Sequence, residues 1–171
     1  LAEQKLMFDA VSEGLALVRD GTIQKCNAKF ADMVGYRPEE LAGKPTLTFY
    51  ADPAEWEYVG RQAQAAMMQG RVFESELLVR RKNGTTFWCE LRGRAIDPRA
   101  VDEGSIWVLF DISARKEREQ RIQHLADHDA LTGLLNRRLL EDRLQQSITL
   151  ARRNDALVAV MLIDLDGFKA V

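Results

Sequence analysis

Cysteine, histidine, proline and long apolar runs are all scarce in this chain of 171 residues. The two cysteines, Cys26 and Cys89, lie far apart and lack the spacing of metal ligands, so we expect two reduced core thiols in a cytoplasmic compartment. Neither sign of charge dominates, because the formal net charge is -2, and this balance argues against nucleic acid as a partner. No apolar run approaches the roughly 20 residues of a membrane helix, and no signal-peptide pattern opens the chain.

The remaining composition is typical of a globular protein with at least one good core. Hydrophobic residues make up 46% of the chain and charged residues 29%. The length suffices for one domain and a piece of another. The first residue is Leu1 rather than methionine, so we expect further sequence upstream, where membrane attachment stays open.

The N-terminal third changes from helical to strand periodicity and back. Residues 2–12 carry apolar side chains at helical spacing and predict a short amphipathic helix. Residues 14–18 and 22–26 predict two strands, joined at Asp20-Gly21 by a strong hairpin turn signal. Residues 27–50 are interrupted by glycine and proline, so only small helices fit there.

A longer helix and three more strands follow. Residues 53–70 begin with a proline that suits a first helical turn, and they carry an apolar stripe at steps of three and four residues. Strands are predicted at residues 72–81, 85–96 and 104–110. Asn83-Gly84, between the first two of these, is a candidate type I′ turn. This order predicts the α+β class, with an antiparallel sheet and helices on one face.

The predicted strand at residues 85–96 separates two kinds of side chain. One face is apolar or small and is assigned to the core: Phe87, Cys89, Leu91, Gly93 and Ala95. The other face carries one tryptophan among charges: Trp88, Glu90, Arg92 and Arg94. Because that tryptophan is poorly suited to water, we expect this outer face to meet the N-terminal helix or a second subunit.

Five short motifs occur in order along the first two thirds of the chain. They are Asn27-Ala28-Lys29-Phe30, Met33-Val34-Gly35-Tyr36, residues 38–43 (PEELAG), Asn83-Gly84 leading to Trp88, and Asp111-Ile112-Ser113 with Arg115-Lys116. Together they resemble the PAS sensory domain, and the resemblance covers roughly residues 1–113. It implies a five-stranded antiparallel sheet with helices packed over a pocket that often holds a small ligand. It also implies a signal-relay role for Asp111, Ile112 and Ser113.

The sequence of the predicted sensor rules out several classes of ligand but does not identify the ligand. Both histidines, His124 and His128, lie beyond residue 113, so a haem held by an axial histidine is not expected. Cys26 lacks the flanking pattern of a photoactive flavin-adduct cysteine, and no glycine-rich phosphate loop suggests a dinucleotide. We therefore expect a small apolar or weakly polar molecule, or an empty pocket.

A highly charged helical segment at residues 114–127 follows the predicted sensor. This helix could hold the domains on either side of it in a fixed rotational phase. It could equally be a solvated linker without a coiled-coil role, because its two large apolar side chains fall short of sustained heptads.

Residues 129–138 (DALTGLLNRR) resemble the entry of the GGDEF, or diguanylate cyclase, domain, and residues 163–169 (IDLDGFK) are similar to its first metal and phosphate site. The resemblance covers residues 128–171, about the first quarter of such a domain.

The GGDEF resemblance implies that Mg²⁺ and GTP bind near the end of the chain. Asp164 would supply a carboxylate and Leu165 a backbone carbonyl, which are hard oxygen ligands of the kind that Mg²⁺ prefers. Gly167 and Phe168 would meet phosphate oxygens through backbone N–H groups, and Lys169 would add a positive charge. A calcium loop fits less well, because Gly167 comes too early for one.

Two further structural expectations concern this C-terminal part. Residues 156–163 form an apolar run, which predicts a strand buried on both faces. Such a strand needs a hydrogen-bonding partner, and we expect another copy of the chain in preference to the PAS segment or to residues outside this sequence. Asp129 is expected to form a structural ion pair with Arg137 or Arg138.

Two functional hypotheses follow from these resemblances. In the first, the chain is the sensory part of a diguanylate cyclase, whose PAS domain controls synthesis of cyclic di-GMP from two GTP by a homodimer. The fragment itself would be inactive, because the guanine-reading residues and the GG(D/E)EF motif would follow Val171. In the second, it is a ligand-binding or dimerisation module ahead of a degenerate GGDEF domain, with or without a phosphodiesterase domain downstream. A histidine kinase is a weaker third interpretation, because neither histidine has phosphoacceptor surroundings.

Overall fold

The structure is a computed structural model that describes residues 8–129 and 131–163. Its contacts divide the chain into two compact units, Leu1–Glu117 and Arg118–Val171. Phe8 and Asp9 are helical, and the rest of the helix predicted at residues 2–12 lies mainly outside the described residues. Among the described residues, no helix combines the length and the apolar character that a membrane crossing needs.

A five-stranded antiparallel sheet forms the centre of the first unit, in the order β2-β1-β5-β4-β3. Its strands are β1 (Gly14–Arg19), β2 (Thr22–Cys26), β3 (Phe73–Arg80), β4 (Thr86–Ala95) and β5 (Ser105–Asp111). Each predicted strand is found within one residue of its expected bounds. The predicted α+β class is confirmed, and β5 joins the two hairpins into one sheet because it pairs with both β1 and β4.

The two hairpins turn by different backbone geometries. Asp20 and Gly21 have φ angles of 49° and 65°, so both residues are left-handed, as a type I′ turn requires. In the second hairpin only Gly84, with φ of 86°, is left-handed, so the type I′ turn predicted at Asn83-Gly84 is wrong. There the Gly84 N–H donates to the Arg81 carbonyl, and the Asn83 side chain accepts from the backbone two residues on. Asn83 therefore stabilises a turn that precedes the left-handed glycine.

Short helices and then one long helix connect β2 to β3, as predicted. They are α1 (Ala28–Val34), α2 (Pro38–Leu41), a 3-10 helix (Thr46–Phe49) and α3 (Pro53–Met68). Helix α3 begins at Pro53 because Asp52 caps it, its carboxylate accepting a hydrogen bond from the Ala54 N–H at 2.8 Å. One stripe of α3 is buried against the sheet: Val59, Ala63 and Met67.

The alternation predicted for β4 is confirmed. Its core face is buried: Phe87, Cys89, Leu91, Gly93 and Ala95. Burial raises the pKa of the Cys89 thiol to about 12, so this side chain stays protonated and packs as a small apolar group. Cys26 is only half-buried, and both cysteines are free.

Two helices follow the sheet, α4 (Ser113–Asp127) and α5 (Arg137–Arg153). The charged segment predicted to be helical is confirmed as α4. Helix α5 begins after Asn136, whose side-chain oxygen accepts a hydrogen bond from the Leu139 N–H at 2.9 Å.

Residues 156–163 do not form the predicted buried strand. They have neither helical nor strand structure, and their apolar side chains are exposed, Leu157 at 100% and Leu162 at 95%. An apolar run becomes a strand only where a neighbouring strand takes up its backbone hydrogen bonds, and no described strand pairs with this run. The predicted pairing with another copy of the chain required this strand, so the structure gives no support for it.

Candidate functional site

A cavity of about 340 Å³ lies in the first unit between the inner face of the sheet and helix α3. All five strands contribute to its wall, with the 3-10 helix and α3 on the opposite side. The sequence predicted a pocket through the PAS resemblance but did not identify its lining residues. The alternation of β5 could have done so, because Ser105, Trp107 and Leu109 share one face and all line the cavity.

Two tryptophans line the cavity with their polar atoms already engaged. The Trp56 indole N–H donates to the Thr46 hydroxyl at 2.9 Å, and that hydroxyl donates to the Gly21 carbonyl at 3.0 Å. The Trp107 indole N–H donates to the Ser105 hydroxyl at 2.8 Å. Both indoles therefore present mainly apolar ring surface to the cavity.

Charged side chains lie at the exposed edge of the cavity and not in its interior. Arg19, Asp20 and Asp102 contribute to the lining but are exposed, and the Arg19 Nε donates to a backbone carbonyl at 3.0 Å. Inside, burial raises the pKa of the Tyr50 phenol, and the Glu55 carboxylate acts in the same direction. Tyr50 is therefore neutral, and the interior of the cavity carries no charge at neutral pH.

Gly93 of β4 leaves room for two side chains of this wall. A Cβ built at Gly93 would lie 2.7 Å from Met67 Cε and 2.7 Å from Trp107 Cζ3. We expect Gly93→Ala to lower the free energy of unfolding by about 1–3 kcal/mol, because the Trp107 ring must shift in a packed wall. Denaturation in urea, followed by tryptophan fluorescence, measures the change.

Gly60 of α3 provides the matched control for this substitution. A Cβ built there meets nothing within 4 Å. Gly60→Ala should therefore raise the free energy of unfolding by about 0.5–1 kcal/mol, since alanine lowers the entropy of the unfolded chain and favours helix. Equal effects of the two substitutions would contradict the close packing at Gly93.

The outer face of β3 and β4 contacts the first turn of α4. Glu76 accepts a hydrogen bond from Arg115 at 2.6 Å and pairs with Lys116 at 2.5 Å. Arg115 also lies 3.6 Å from the Glu90 carboxylate, and the Lys116 ammonium lies 5.3 Å from the centre of the Trp88 ring. The hydrogen bonds from Lys116 and Arg115 hold the pKa of Glu76 below its ordinary value. We call these residues, Glu76, Trp88, Glu90, Arg115 and Lys116, the helix clamp.

The helix clamp gives the outer face a contact that the sequence did not predict. In the part of the chain that the structure describes, this face meets the start of α4. The predicted contact with the N-terminal helix falls mainly on residues outside the described ones, and the contact with a second subunit stays a prediction. Sequence reasoning missed these pairs because their partners are distant in the sequence, with Glu76 and Arg115 separated by 39 positions. The only local signal was a tryptophan among charged side chains.

The predicted relay residues lie at the junction of β5 and α4. The Ile112 N–H donates to the Trp88 carbonyl at 2.9 Å, and the Trp88 N–H donates to the Ser113 hydroxyl at 3.2 Å. Asp111 accepts from the Ser113 N–H at 3.0 Å and pairs with Arg81 at 3.3 Å. Burial acts to raise the pKa of Asp111, but the hydrogen bonds from Ser113 and Arg81 outweigh it and lower that pKa. The junction is thus fixed to Trp88 of β4 through Ile112 and Ser113, and to Arg81 through Asp111.

The predicted metal and phosphate residues lie outside the described residues. These are Asp164, Leu165, Gly167, Phe168 and Lys169. Within residues 8–129 and 131–163, no group of three or more histidine, cysteine or acidic side chains could hold a metal ion. The donor chemistry of Asp164 and the Leu165 carbonyl nevertheless fits Mg²⁺, which takes carboxylate and carbonyl oxygens.

Asp129 does not form the predicted ion pair. Its carboxylate accepts hydrogen bonds from the Thr132 N–H at 3.0 Å and from the Thr132 hydroxyl at 2.8 Å, and these bonds lower its pKa. Arg138 pairs with Asp127 at 2.8 Å, and Arg137 pairs with an acidic side chain of its own helix. A short acidic side chain satisfies nearby backbone donors first, which is why a turn and not an ion pair forms.

Comparison with known proteins identifies the families that this chain resembles. A PAS domain model matches residues 12–114, and a diguanylate cyclase, GGDEF domain model matches residues 126–171. An uncharacterized signaling protein of Caulobacter vibrioides is 37% identical over 171 residues, which cover 95% of this chain and 19% of that protein. Diguanylate cyclase DgcM of Escherichia coli K12 is 27% identical over 164 residues, covering 90% of this chain and 37% of that protein.

A third relative is a phosphodiesterase. Cyclic di-GMP phosphodiesterase PdeR of Escherichia coli K12 is 25% identical over 171 residues, covering 98% of this chain and 25% of that protein. This chain therefore spans well under half the length of each of the three relatives.

Solved structures agree with the match to the PAS domain model. The PAS domain, in complex with ethanol, of a LuxR-family transcriptional regulator from Burkholderia thailandensis has a TM-score of 0.60 and 28% identity, covering 64% of this chain and 96% of that one. A PAS domain from Colwellia psychrerythraea has a TM-score of 0.60 and 22% identity, covering 67% of this chain and 98% of that one. The chain belongs to the PAS domain family, with its PAS domain at residues 12–114 followed by the N-terminal part of a GGDEF domain at residues 126–171.

Proposed function

We propose that this chain is the sensory and regulatory part of a cyclic di-GMP signalling protein, in which the state of the PAS cavity controls a diguanylate cyclase. The continuity of β5 with α4 carries this proposal. Ser105 and Trp107 of β5 line the cavity, and the same strand leads through Asp111 and Ile112 into the helix that precedes the GGDEF segment. A change at the cavity wall thus arises a few residues from the start of that helix.

The relay is proposed to act through the first turn of α4. The helix clamp ties Arg115 and Lys116 to the outer face of β3 and β4, while Ser113 is bonded to Trp88. A shift of β4 or β5 relative to β3 would therefore move the helix start with it. Rigid elements with two discrete arrangements transmit such shifts over long distances.

The proposed output is the synthesis of cyclic di-GMP from two GTP by a homodimer. Each active site holds one GTP, so the geometry between the two copies decides whether the reactants meet in a productive orientation. Bound Mg²⁺ would neutralise phosphate charge, with Asp164 and the Leu165 carbonyl as its ligands from this segment. Gly167, Phe168 and Lys169 would hold the triphosphate. The two free thiols support a site of action in the reducing cytoplasm.

A second candidate is a regulatory module ahead of a degenerate GGDEF domain in a phosphodiesterase. The similarity to the phosphodiesterase PdeR, which covers 98% of this chain, supports this second candidate. The two candidates differ in one measurement. The complete protein converts GTP to cyclic di-GMP in the first and does not do so in the second.

The double variant Arg115→Ala/Lys116→Ala tests the relay in the complete protein. We expect the rate of cyclic di-GMP formation to fall about fivefold or more, since coupling between sites usually amounts to roughly 5–150-fold and the helix start loses its attachment to the sheet. Chromatographic measurement of product formed from GTP and Mg²⁺ gives the rate. Arg121→Ala, further along the exposed part of α4, is the matched control and should leave the rate within about twofold.

Two outcomes would overturn parts of this proposal. An unchanged rate in the double variant, with the control also unchanged, would show that the helix clamp carries no signal. Absence of product from the unaltered complete protein would favour the degenerate-domain candidate.

A further inference from the structure

The wall of the PAS cavity restricts the ligand by its charge, its hydrogen-bonding demand and its size. We propose that the cavity binds an uncharged, largely apolar aromatic molecule of roughly nine to fourteen non-hydrogen atoms. This inference rests on the proposed function only in taking the cavity as the ligand site of the sensor. It requires no assumption about the activity of the GGDEF domain.

The indole N–H groups of the wall already have hydrogen-bond partners within the protein. The indole N–H groups of Trp56 and Trp107 donate to Thr46 and Ser105 at 2.9 and 2.8 Å. Across the described residues, no buried side-chain nitrogen or oxygen lacks a partner. A ligand rich in hydrogen-bonding groups would lose its bonds to water on entry and gain few in return. The favoured ligand therefore has at most one or two polar atoms.

The charge of the wall excludes ionised ligands. The interior contains no lysine, histidine or acidic side chain, and the charged residues Arg19, Asp20 and Asp102 are exposed at its edge. The Nε of Arg19 donates to the Glu103 carbonyl at 3.0 Å, and the carboxylates of Asp20 and Asp102 offset the charge of Arg19 at the same edge. A carboxylate carried into this cavity would be desolvated without a counter-charge, so an anionic analogue should bind far more weakly than a neutral one.

The volume and the aromatic residues of the wall set the size and type of ligand. A closed apolar cavity of about 150 Å³ accommodates one benzene molecule, and this cavity, at about 340 Å³, has roughly twice that volume. Two fused or linked rings therefore fit. The wall offers aromatic partners for them, since Phe49, Tyr50, Trp56 and Trp107 all line the cavity, and aromatic rings pack favourably edge to face.

A pair of probes that differ chiefly in charge tests the proposal on the 171-residue chain. The neutral probe is 1-naphthalenemethanol and the anionic probe is 1-naphthoate, at pH 7. We expect the neutral probe to bind with a micromolar dissociation constant in titration calorimetry and to raise the melting temperature, and the anion to bind at least tenfold more weakly. Equal affinities, or no binding of the neutral probe, would overturn the proposed ligand class.

Two substitutions on α3 locate the binding. Ala63 is 3% exposed and lines the cavity, whereas Ala65 lies on the exposed face of the same helix. Ala63→Leu should fill part of the cavity and weaken binding of 1-naphthalenemethanol at least tenfold, while Ala65→Leu should leave it unchanged. Should Ala63→Leu fail to fold cooperatively, Ala16→Val, which enlarges a lining residue of β1, serves the same purpose. Unaltered binding in a folded cavity-filling variant would place the probe elsewhere and overturn the proposal.

These results separate the ligand class from the proposed function. Preferential binding of the neutral probe supports the ligand class even where the helix clamp variant leaves cyclic di-GMP synthesis unchanged. Equal binding of the two probes overturns the ligand class alone, because the test of the helix clamp uses no ligand.

Discussion

Asn27→Ala is expected to lower the free energy of unfolding of the PAS domain by about 3–5 kcal/mol. Asn27 is 0% exposed. Its side-chain oxygen accepts hydrogen bonds from the Leu15 and Phe30 N–H groups, both at 2.9 Å. Its amide donates to the carbonyls of Glu13 at 2.9 Å and Phe8 at 3.2 Å.

The size of the effect follows from what alanine leaves behind. One side chain caps helix α1, holds the start of β1 and ties the segment before β1 to both, so its loss leaves several backbone groups unpaired in a closed site. Each unsatisfied buried group costs about 1–3 kcal/mol, although neighbouring losses do not add fully. The melting temperature should fall by roughly 10–20 °C.

Asn83→Ala is the matched control for this prediction. Asn83 is also an asparagine of the first unit whose side chain bonds to the backbone, but it is exposed in a turn. Its replacement should cost no more than about 1 kcal/mol, because water satisfies the freed groups. Calorimetry of both variants gives the comparison, and similar losses for the two would show that burial of Asn27 contributes little.

Asp164→Asn is expected to reduce Mg²⁺-dependent GTP turnover of the complete protein by at least about 100-fold. A neutral amide replaces the anionic oxygen that the resemblance assigns to Mg²⁺, and even changes to residues behind the direct ligands of a metal cost about 10–100-fold. The melting transition of the PAS domain should not change, since the substitution lies outside that domain. Product formation and calorimetry on the same preparation measure both quantities.

Asp155→Asn controls for the loss of a carboxylate near the same run. Asp155 is exposed and left-handed with φ of 50°, a conformation that asparagine tolerates as well as aspartate does. Turnover should therefore remain within about twofold of the unaltered protein. Full turnover in Asp164→Asn would refute the metal assignment, whereas loss of turnover in both variants would point to a general disturbance of the C-terminal segment.

The sequence predicted the sheet well because its signals are local. Strand alternation and the turn at Asp20-Gly21 depend on neighbouring residues, and they placed all five strands within one residue. The turn at Asn83-Gly84 shows the limit of a dipeptide signal. Two turn geometries accept the same pair of residues, and the Arg81 carbonyl that selects one of them is not part of the pair.

Distant contacts account for what the sequence did not predict. Asn27 was recognised as part of a motif, but its four hydrogen bonds include partners up to 19 residues away. The helix clamp joins α4 to β3 across about 40 residues of sequence. Residues 156–163 have the composition of a buried strand, yet composition supplies no neighbour to pair with.

Two carboxylates, Glu76 on β3 and Asp111 at the end of β5, help to hold the start of α4 and determine how that attachment responds to acid. Glu76 and Asp111 have lowered pKa values, so both stay ionised through the neutral range, and the stability that they contribute is lost progressively as the pH falls from the ordinary carboxyl pKa through those lowered values. The PAS domain also contains no histidine, the side chain that most often changes charge near pH 7. Changes of pH around neutrality would therefore leave the charges that attach α4 to the sheet unaltered, and we expect the coupling of sheet and helix to be independent of pH in that range.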